Sequence, residues 1–193
     1  LDMLDSRLCV LYTDSSSEYK TTVMFFNGTK WGPLGDRAFS EPNASFLSMT
    51  TAGDSVFIAY TNWMFGGLPQ IMKYAPDTGW KKFSSKGLFD KHCDFNNIVS
   101  DNGVLYFLTR DKLLAGFLLY KFVNNEWIAL TDGPQHKKCE MLRLRIVSGV
   151  PYVAYADLGT GLLYLKKFED NEWKKIGKGA VSEGRSLFCD LAI

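Results

Sequence analysis

The sequence carries almost no net charge: 22 lysines and arginines stand against 21 aspartates and glutamates, leaving +1 at pH 7. A balance this even offers no basic footprint for nucleic acid or for an anionic membrane surface, so neither is expected as a partner. Long apolar runs are missing too. The longest, at residues 55–60 and 115–120, are strand-length and far short of the roughly 20 residues a spanning helix needs, so no membrane insertion is expected. No basic segment leading into an apolar stretch follows Leu1, and any targeting peptide is expected to lie outside the chain. No segment sustains a helical period. Phosphate loop, nucleophile elbow, metalloprotease helix and paired-carboxylate motif are all absent. Gly159-Thr160-Gly161 lacks the third glycine of a dinucleotide fingerprint and sits between strand-like segments. No catalytic residue and no cofactor are therefore expected. What remains is 46% apolar with 15% aromatic residues, ample for a core in one domain of 193 residues.

The aromatic residues repeat. Trp31, Trp80, Trp127 and Trp173 stand 49, 47 and 46 residues apart, and each follows a turn: Asn27-Gly28-Thr29, Asp77-Thr78-Gly79, Asn124-Asn125-Glu126 and Asn171-Glu172. About twenty residues before each Trp comes an apolar run. The runs are Cys9-Val10-Leu11-Tyr12, Phe57-Ile58-Ala59-Tyr60, Tyr106-Phe107-Leu108-Thr109 and Tyr152-Val153-Ala154-Tyr155. Asp14, Asn62, Asp111 and Asp157 close them, Asp14 two residues after Tyr12 just as Asp157 follows Tyr155.

Each period reads as four short strands joined by Gly, Pro, Asn and Asp turns. In the second copy they fall at 46–51, 56–61, 70–74 and 80–83, and in the fourth at 141–146, 152–156, 164–168 and 173–176. Evenly spaced short strands with one aromatic signature per unit predict an all-β fold, a four-bladed β-propeller of four-stranded antiparallel blades. Sheets packed on both faces account for the near-continuous apolar strands. Blade 1 is expected at 1–36 plus 186–193, blade 2 at 44–84, blade 3 at 93–131 and blade 4 at 139–177 of a single domain. The split of blade 1 follows from the ends: residues 188–193 align without gaps to 141–146 and 46–51, while the first copy begins almost at its second strand. A carboxyl-terminal strand pairing beside residues 8–13 would close the ring and remove its exposed edges. The alternative is that these four blades are part of a larger propeller.

Gly149-Val150-Pro151-Tyr152-Val153-Ala154-Tyr155-Ala156-Asp157, with Trp173-Lys174-Lys175-Ile176-Gly177 after a turn, resembles the repeat of secreted and surface β-propellers, tectonin-like and kelch-like among them. Hemopexin-like domains are similar in having four blades. The resemblance covers nearly the whole chain and implies a fold and an extracellular or cell-surface setting. The sequons Asn27-Gly28-Thr29 and Asn43-Ala44-Ser45 agree with that setting. Asp77-Thr78-Gly79-Trp80 is similar to part of the Asp-box turn of sialidase-like propellers, but the preceding Ser and the spacing are missing, and it reads as an ordinary turn.

Loops on a rigid frame are where such a scaffold is expected to bind. The loop Asn62-Trp63-Met64-Phe65-Gly66-Gly67-Leu68-Pro69 is apolar and aromatic where the first copy has Asp14-Ser15-Ser16-Ser17-Glu18. Trp63, Met64 and Phe65 are therefore the candidate recognition patch, unless they fold back over the channel mouth or a neighbouring blade. The equivalent positions Ser48, Asn97, Arg143 and Asp190 form a candidate polar ring lining the axis, or a structural network in which Arg143 pairs with Asp190. Cys93 and Cys139 share a repeat position with His92 and His136 beside them, which meets the ligand types of a zinc site but matches no finger spacing, so no metal is expected. Disulfides Cys93 to Cys139 and Cys9 to Cys189 are weighed against buried free thiols. The function expected is a non-enzymatic binding module for a protein partner through the loop face. A lectin-like glycan module is the alternative, and a glycan-active enzyme comes behind it.

Overall fold

The computed structural model describes residues 2–4, 7–84, 86–88, 90–133, 135–136 and 138–192. Sixteen strands form four antiparallel four-stranded sheets, each built from consecutive segments of chain. The first holds β1 (Asp2–Leu4), β2 (Arg7–Asp14), β3 (Lys20–Phe26) and β4 (Trp31–Pro33), and the second β5 (Ala44–Ala52), β6 (Ser55–Asn62), β7 (Leu68–Ala75) and β8 (Gly79–Lys82). The third holds β9 (Cys93–Asp101), β10 (Val104–Asp111), β11 (Phe117–Val123) and β12 (Glu126–Ala129). The fourth holds β13 (Cys139–Val147), β14 (Val150–Asp157), β15 (Leu163–Glu169) and β16 (Glu172–Lys175). This is the all-β, four-bladed propeller organisation that the repeat predicts.

Local chemistry explains the short meanders. Asn102-Gly103 and Ser148-Gly149 place both central residues at positive φ, the geometry whose twist suits a two-residue hairpin. Each of the inner strands β5, β9 and β13 carries a register shift near its start. Phe46, Phe95 and Met141 sit there at φ of 51°, 50° and 55°, so the same bulge recurs three times with a bulky residue on it.

Among the described residues, three apolar clusters join the first sheet to the second, the second to the third and the third to the fourth. Two of the repeat tryptophans clip neighbouring sheets together. Trp80 Nε1 donates to Leu34 O at 2.7 Å and Trp127 Nε1 to Ser84 O at 2.9 Å, so each indole ties down the linker leaving the preceding sheet. Trp127 is 2% exposed, whereas Trp31, on the first of the four sheets, is 45% exposed.

One strand differs from expectation. The inner position of the first sheet is held by β1, paired Asp2 to Cys9, Met3 to Leu8 and Leu4 to Arg7, where residues 186–193 were expected. Residues 186–192 carry no strand. Leu1, Asp5, Ser6 and Ile193, within the spans expected for blade 1, lie outside the described residues.

Candidate functional site

The second strand of every sheet ends on a side chain that caps the loop after it. Asp14 Oδ1 accepts from Ser16 N at 2.9 Å, Asn62 Oδ1 from Met64 N at 2.9 Å, Asp111 Oδ1 from Leu113 N at 2.8 Å and Asp157 Oδ1 from Gly159 N at 3.0 Å. Aspartate and asparagine suit this place because the short side chain reaches its own backbone two residues on. Four loops of one backbone frame thus emerge on the same face. They differ in what they carry.

On the second sheet the loop carries Trp63, Met64 and Phe65. The indole of Trp63 is held in place: Nε1 donates to Ser45 Oγ at 2.7 Å, and the Lys112 ammonium lies 4.4 Å from the ring centroid. Gly67, at φ +73°, comes so close that a Cβ there would lie 3.0 Å from the ring, so no larger residue fits without moving the indole. Trp63 is an anchor for the loop. Met64 and Phe65 are the presented side chains, 60% and 51% exposed. Asn43 Nδ2 approaches Met64 Sδ at 3.4 Å, and Lys82 Nζ lies 5.8 Å from the Phe65 ring. The neighbouring loop of the third sheet adds Leu113 and Leu114, 84% and 45% exposed, which sequence reasoning missed. Aligning Asp111 with Asn62 would have found them, since it puts Leu113 at the position of Met64 and Leu114 at that of Phe65.

The axial column is used internally. Ser48 Oγ accepts from Ile98 N at 3.0 Å, and Asn97 donates to Leu142 O at 3.0 Å while accepting from Leu144 N at 3.4 Å. Each therefore stitches its own inner strand to the next. Arg143 and Arg145 reach Asp190 Oδ1 at 3.8 and 3.7 Å across a cavity of about 380 Å³ that Leu11, Ser48 and Asn97 also line.

Neither of the disulfides weighed from the sequence is formed, so the thiol alternative holds at both pairs. Cys93 and Cys139 are buried at different sheet boundaries, where Cys93 Sγ donates to Asn96 Oδ1 at 3.6 Å and Cys139 Sγ to Ala115 O at 3.3 Å. Burial pushes the Cys93 thiol up to about 11 and the Cys139 thiol up to about 12. Cys189 instead donates to Met141 O at 2.9 Å, on the fourth sheet, while Cys9 belongs to the cluster between the first and second. Among the described residues no three His, Cys, Asp or Glu side chains gather as a metal site. His136 stands between Tyr155 Oη at 3.4 Å and Asp157 Oδ2 at 3.5 Å, and burial moves its pKa down. His92 packs against Gly66.

The carboxylates near this face are engaged. The hydroxyl and the amide of Ser16 hold Asp14 below the ordinary carboxylate range, and the Thr160 amide, with burial opposing, does the same for Asp157. Asp94 forms a fork with Arg110, both contacts at 2.6 Å, and the guanidinium also donates to Cys139 O at 2.9 Å across the third and fourth sheets. The sequon residues Asn27 and Asn43 are both exposed.

No family model and no curated protein matches this sequence. Solved structures share its fold. A triple arginine-to-alanine mutant of AofleA from Arthrobotrys oligospora is similar over 97% of this chain and 60% of its own, at 9% identity and a TM-score of 0.60. The Hadza microbial sialidase Hz136 is similar over 91% of this chain and 45% of its own, at 15% identity and a TM-score of 0.60. The xyloglucan PUL GH43B of Bacteroides ovatus is similar over 82% of this chain and 36% of its own, at 16% identity and a TM-score of 0.52. The chain thus spans between about a third and three fifths of the length of these structures.

Proposed function

We propose that this chain is a non-enzymatic binding module that captures a protein partner on the loop face of its second and third sheets. The observation that carries the reading is the pairing of two adjacent capped loops that leave Met64, Phe65, Leu113 and Leu114 in water. Apolar side chains held out on a rigid frame release hydration free energy on contact at little ordering cost, which is how interface hot spots work. Lys82 and Lys112 at the edge of the patch suit a partner with acidic residues around an apolar centre. Trp63 serves by fixing the loop. An enzymatic reading has less support, because Asp14 and Asp157 are held in the ionised form, the opposite of the shift a general acid needs. An extracellular location belongs to the proposal, supported by the two exposed sequons, and a mobility shift on glycosidase treatment of the protein from its source tests it. For binding, the test is a Met64→Ser, Phe65→Ser double variant against a partner captured from the extracellular fraction of that source. Affinity should fall by about 2 kcal/mol or more with the thermal midpoint nearly unchanged. Unchanged affinity would overturn the reading.

A second reading, a glycan ligand, is favoured by one feature. A cavity of about 470 Å³ between the third and fourth sheets is lined by Thr131, Asp132, Gln135, Glu172 and Trp173. Thr131 Oγ1 and Trp173 Nε1 are buried there without a hydrogen-bond partner among the described residues, although the indoles of Trp80 and Trp127 at the same repeat position are satisfied. A ring-and-hydroxyl ligand would supply partners for both. That sialidase and xyloglucan-related chains share the fold makes a glycan array the appropriate probe. Binding lost on Trp173→Phe would support this reading over the first.

A further inference from the structure

The turn that leads into β5 lies against the recognition loop. Asn43, the residue before β5, is exposed and holds a φ of 57°, a left-handed conformation that asparagine tolerates. Its backbone fixes the turn to the loop of the first sheet, with Asn43 N donating to Glu18 O at 2.9 Å and Ala44 N to Tyr19 O at 3.1 Å. Its side chain meets the loop of the second sheet, where Nδ2 donates to Met64 Sδ at 3.4 Å. Two residues on, Ser45 Oγ accepts from Trp63 Nε1 at 2.7 Å. The two side chains that make Asn43-Ala44-Ser45 an N-glycosylation acceptor are thus the two that touch the recognition loop.

The other acceptor sequence, Asn27-Gly28-Thr29, is placed differently. It forms the turn between β3 and β4, where Asn27 Oδ1 accepts from Thr29 N at 3.0 Å and from Lys30 N at 2.9 Å. A glycan there stands at the opposite end of the strands from the capped loops. On Asn43 the atom that would carry the sugar is Nδ2, the atom in contact with Met64. Transfer joins that nitrogen to the anomeric carbon of an oligosaccharide carried on a lipid diphosphate. The anomeric carbon–oxygen bond breaks, the diphosphate leaves with its electron pair, and the nitrogen gives up one of its two protons. The side chain is a neutral amide before and after, so the change it works is steric: a bulky, hydrated ring grows from a point touching the methionine.

We propose that Asn43 is an N-glycosylation site whose glycan closes the binding patch, so that the bare and the glycosylated chain are the open and shut forms of one surface. This rests on the extracellular setting and on the apolar patch already proposed. The sugar covers Met64, an exposed residue in its absence, and sets hydroxyl groups where a partner would meet apolar area. Trp63 keeps its hydrogen bond, because the Ser45 hydroxyl is not the group modified, and the frame of the loop is the same in both forms.

Peptide mapping of the protein secreted by its source should find Asn43 carrying a glycan. Unmodified Asn43 in every copy overturns the proposal and leaves the binding reading as it was. Covering is read by the rate at which dilute hydrogen peroxide converts Met64 to its sulfoxide. Enzymatic removal of the glycans, which leaves aspartate at position 43, should speed that oxidation by roughly threefold or more. Asn43→Asp should oxidise at the same fast rate, since aspartate also tolerates the left-handed turn, and Asn27→Gln should leave the slow rate unchanged. Should Asn43→Asp fail to fold, the chain before and after enzymatic removal decides alone. Equal rates before and after overturn the covering. The probe for the patch is anilinonaphthalene sulfonate, an apolar ring system with one negative charge that suits a surface edged by Lys82 and Lys112. Its fluorescence on the chain should rise by roughly threefold when the glycan is removed. Equal fluorescence in both forms, lost on Met64→Ser with Phe65→Ser, overturns the closing of the patch alone. Equal fluorescence in both forms and in that double variant overturns the patch itself.

Discussion

Trp127 and Trp31 occupy the same repeat position, follow similar turns and start equivalent strands, yet one is buried and the other nearly half in water. The difference is in what lies beside them. Trp127 lies in the cluster between the second and third sheets, with Phe83 from the linker after the second sheet and Phe107 and Phe122 of its own sheet around its ring and Ser84 O on its indole N–H. Trp31 touches Phe26 of its own sheet. The comparison teaches that a blade of this protein is not a stable object by itself. Its strands are encoded locally, and their free energy comes from neighbours, as in other stacked repeats.

The largest effect that would sharpen this contrast is a pair of truncations. Trp127→Ala should lower unfolding free energy by about 3–5 kcal/mol, while Trp31→Ala should cost about 1 kcal/mol or less, both read by urea denaturation. Similar losses at the two positions would break the comparison. The Asp94 and Arg110 fork comes next. Arg110→Leu leaves the Asp94 carboxylate buried and unpaired between the third and fourth sheets, and should cost roughly 3 kcal/mol or more. By contrast Lys86→Ala, which removes an exposed pair with Glu126 at 2.8 Å, should change stability by less than about 1 kcal/mol.

A smaller effect separates the same boundary by pH. Burial lowers the His136 pKa from its ordinary 6.5, so the unfolded chain takes up that proton first as pH falls. Stability from this group is therefore present at neutral pH and lost as pH drops through 6.5, and His136→Asn should flatten the profile there. Asp157 also loses stability toward acid, but only in the carboxylate range, because its folded pKa lies below 3.8. The smallest effect is alkaline. Cys93 and Cys139 titrate at about 11 and about 12 when folded against 9 in the unfolded chain, so their contribution is present below pH 9 and lost as pH rises toward those values. At pH 8 a thiol reagent should modify Cys189 first, since it is the half-buried one of the four.

Much of the fold was legible because it is written several times. Trp spacing, Asp14 and its counterparts, and the Asn-Gly-type turns each recur, and recurrence turns weak local signals into a consistent unit. The bulges were not legible. Nothing about Phe46, Phe95 or Met141 as residue types announces a positive φ; the strain is held by the strands on either side. At the candidate site the loop 62–69 stood out by composition, and Met64 and Phe65 are exposed as a recognition patch requires. The separate part played by Trp63 depends on Ser45, Gly67 and Lys112, residues distant in sequence that only folding brings to the indole.

By itself the sequence determined the unit: four short strands, the turns between them, the capped loops and the number of copies, all of which follow from residue type within a few positions. Only the tertiary structure decided which copies are covered, which thiols stay apart, that Ser48 and Asn97 stitch inner strands together, and that β1 pairs with Arg7, Leu8 and Cys9 of β2. Those outcomes depend on packing and pairing between segments about 50 residues apart, and local chemistry along one segment carries no information about what will stand beside it.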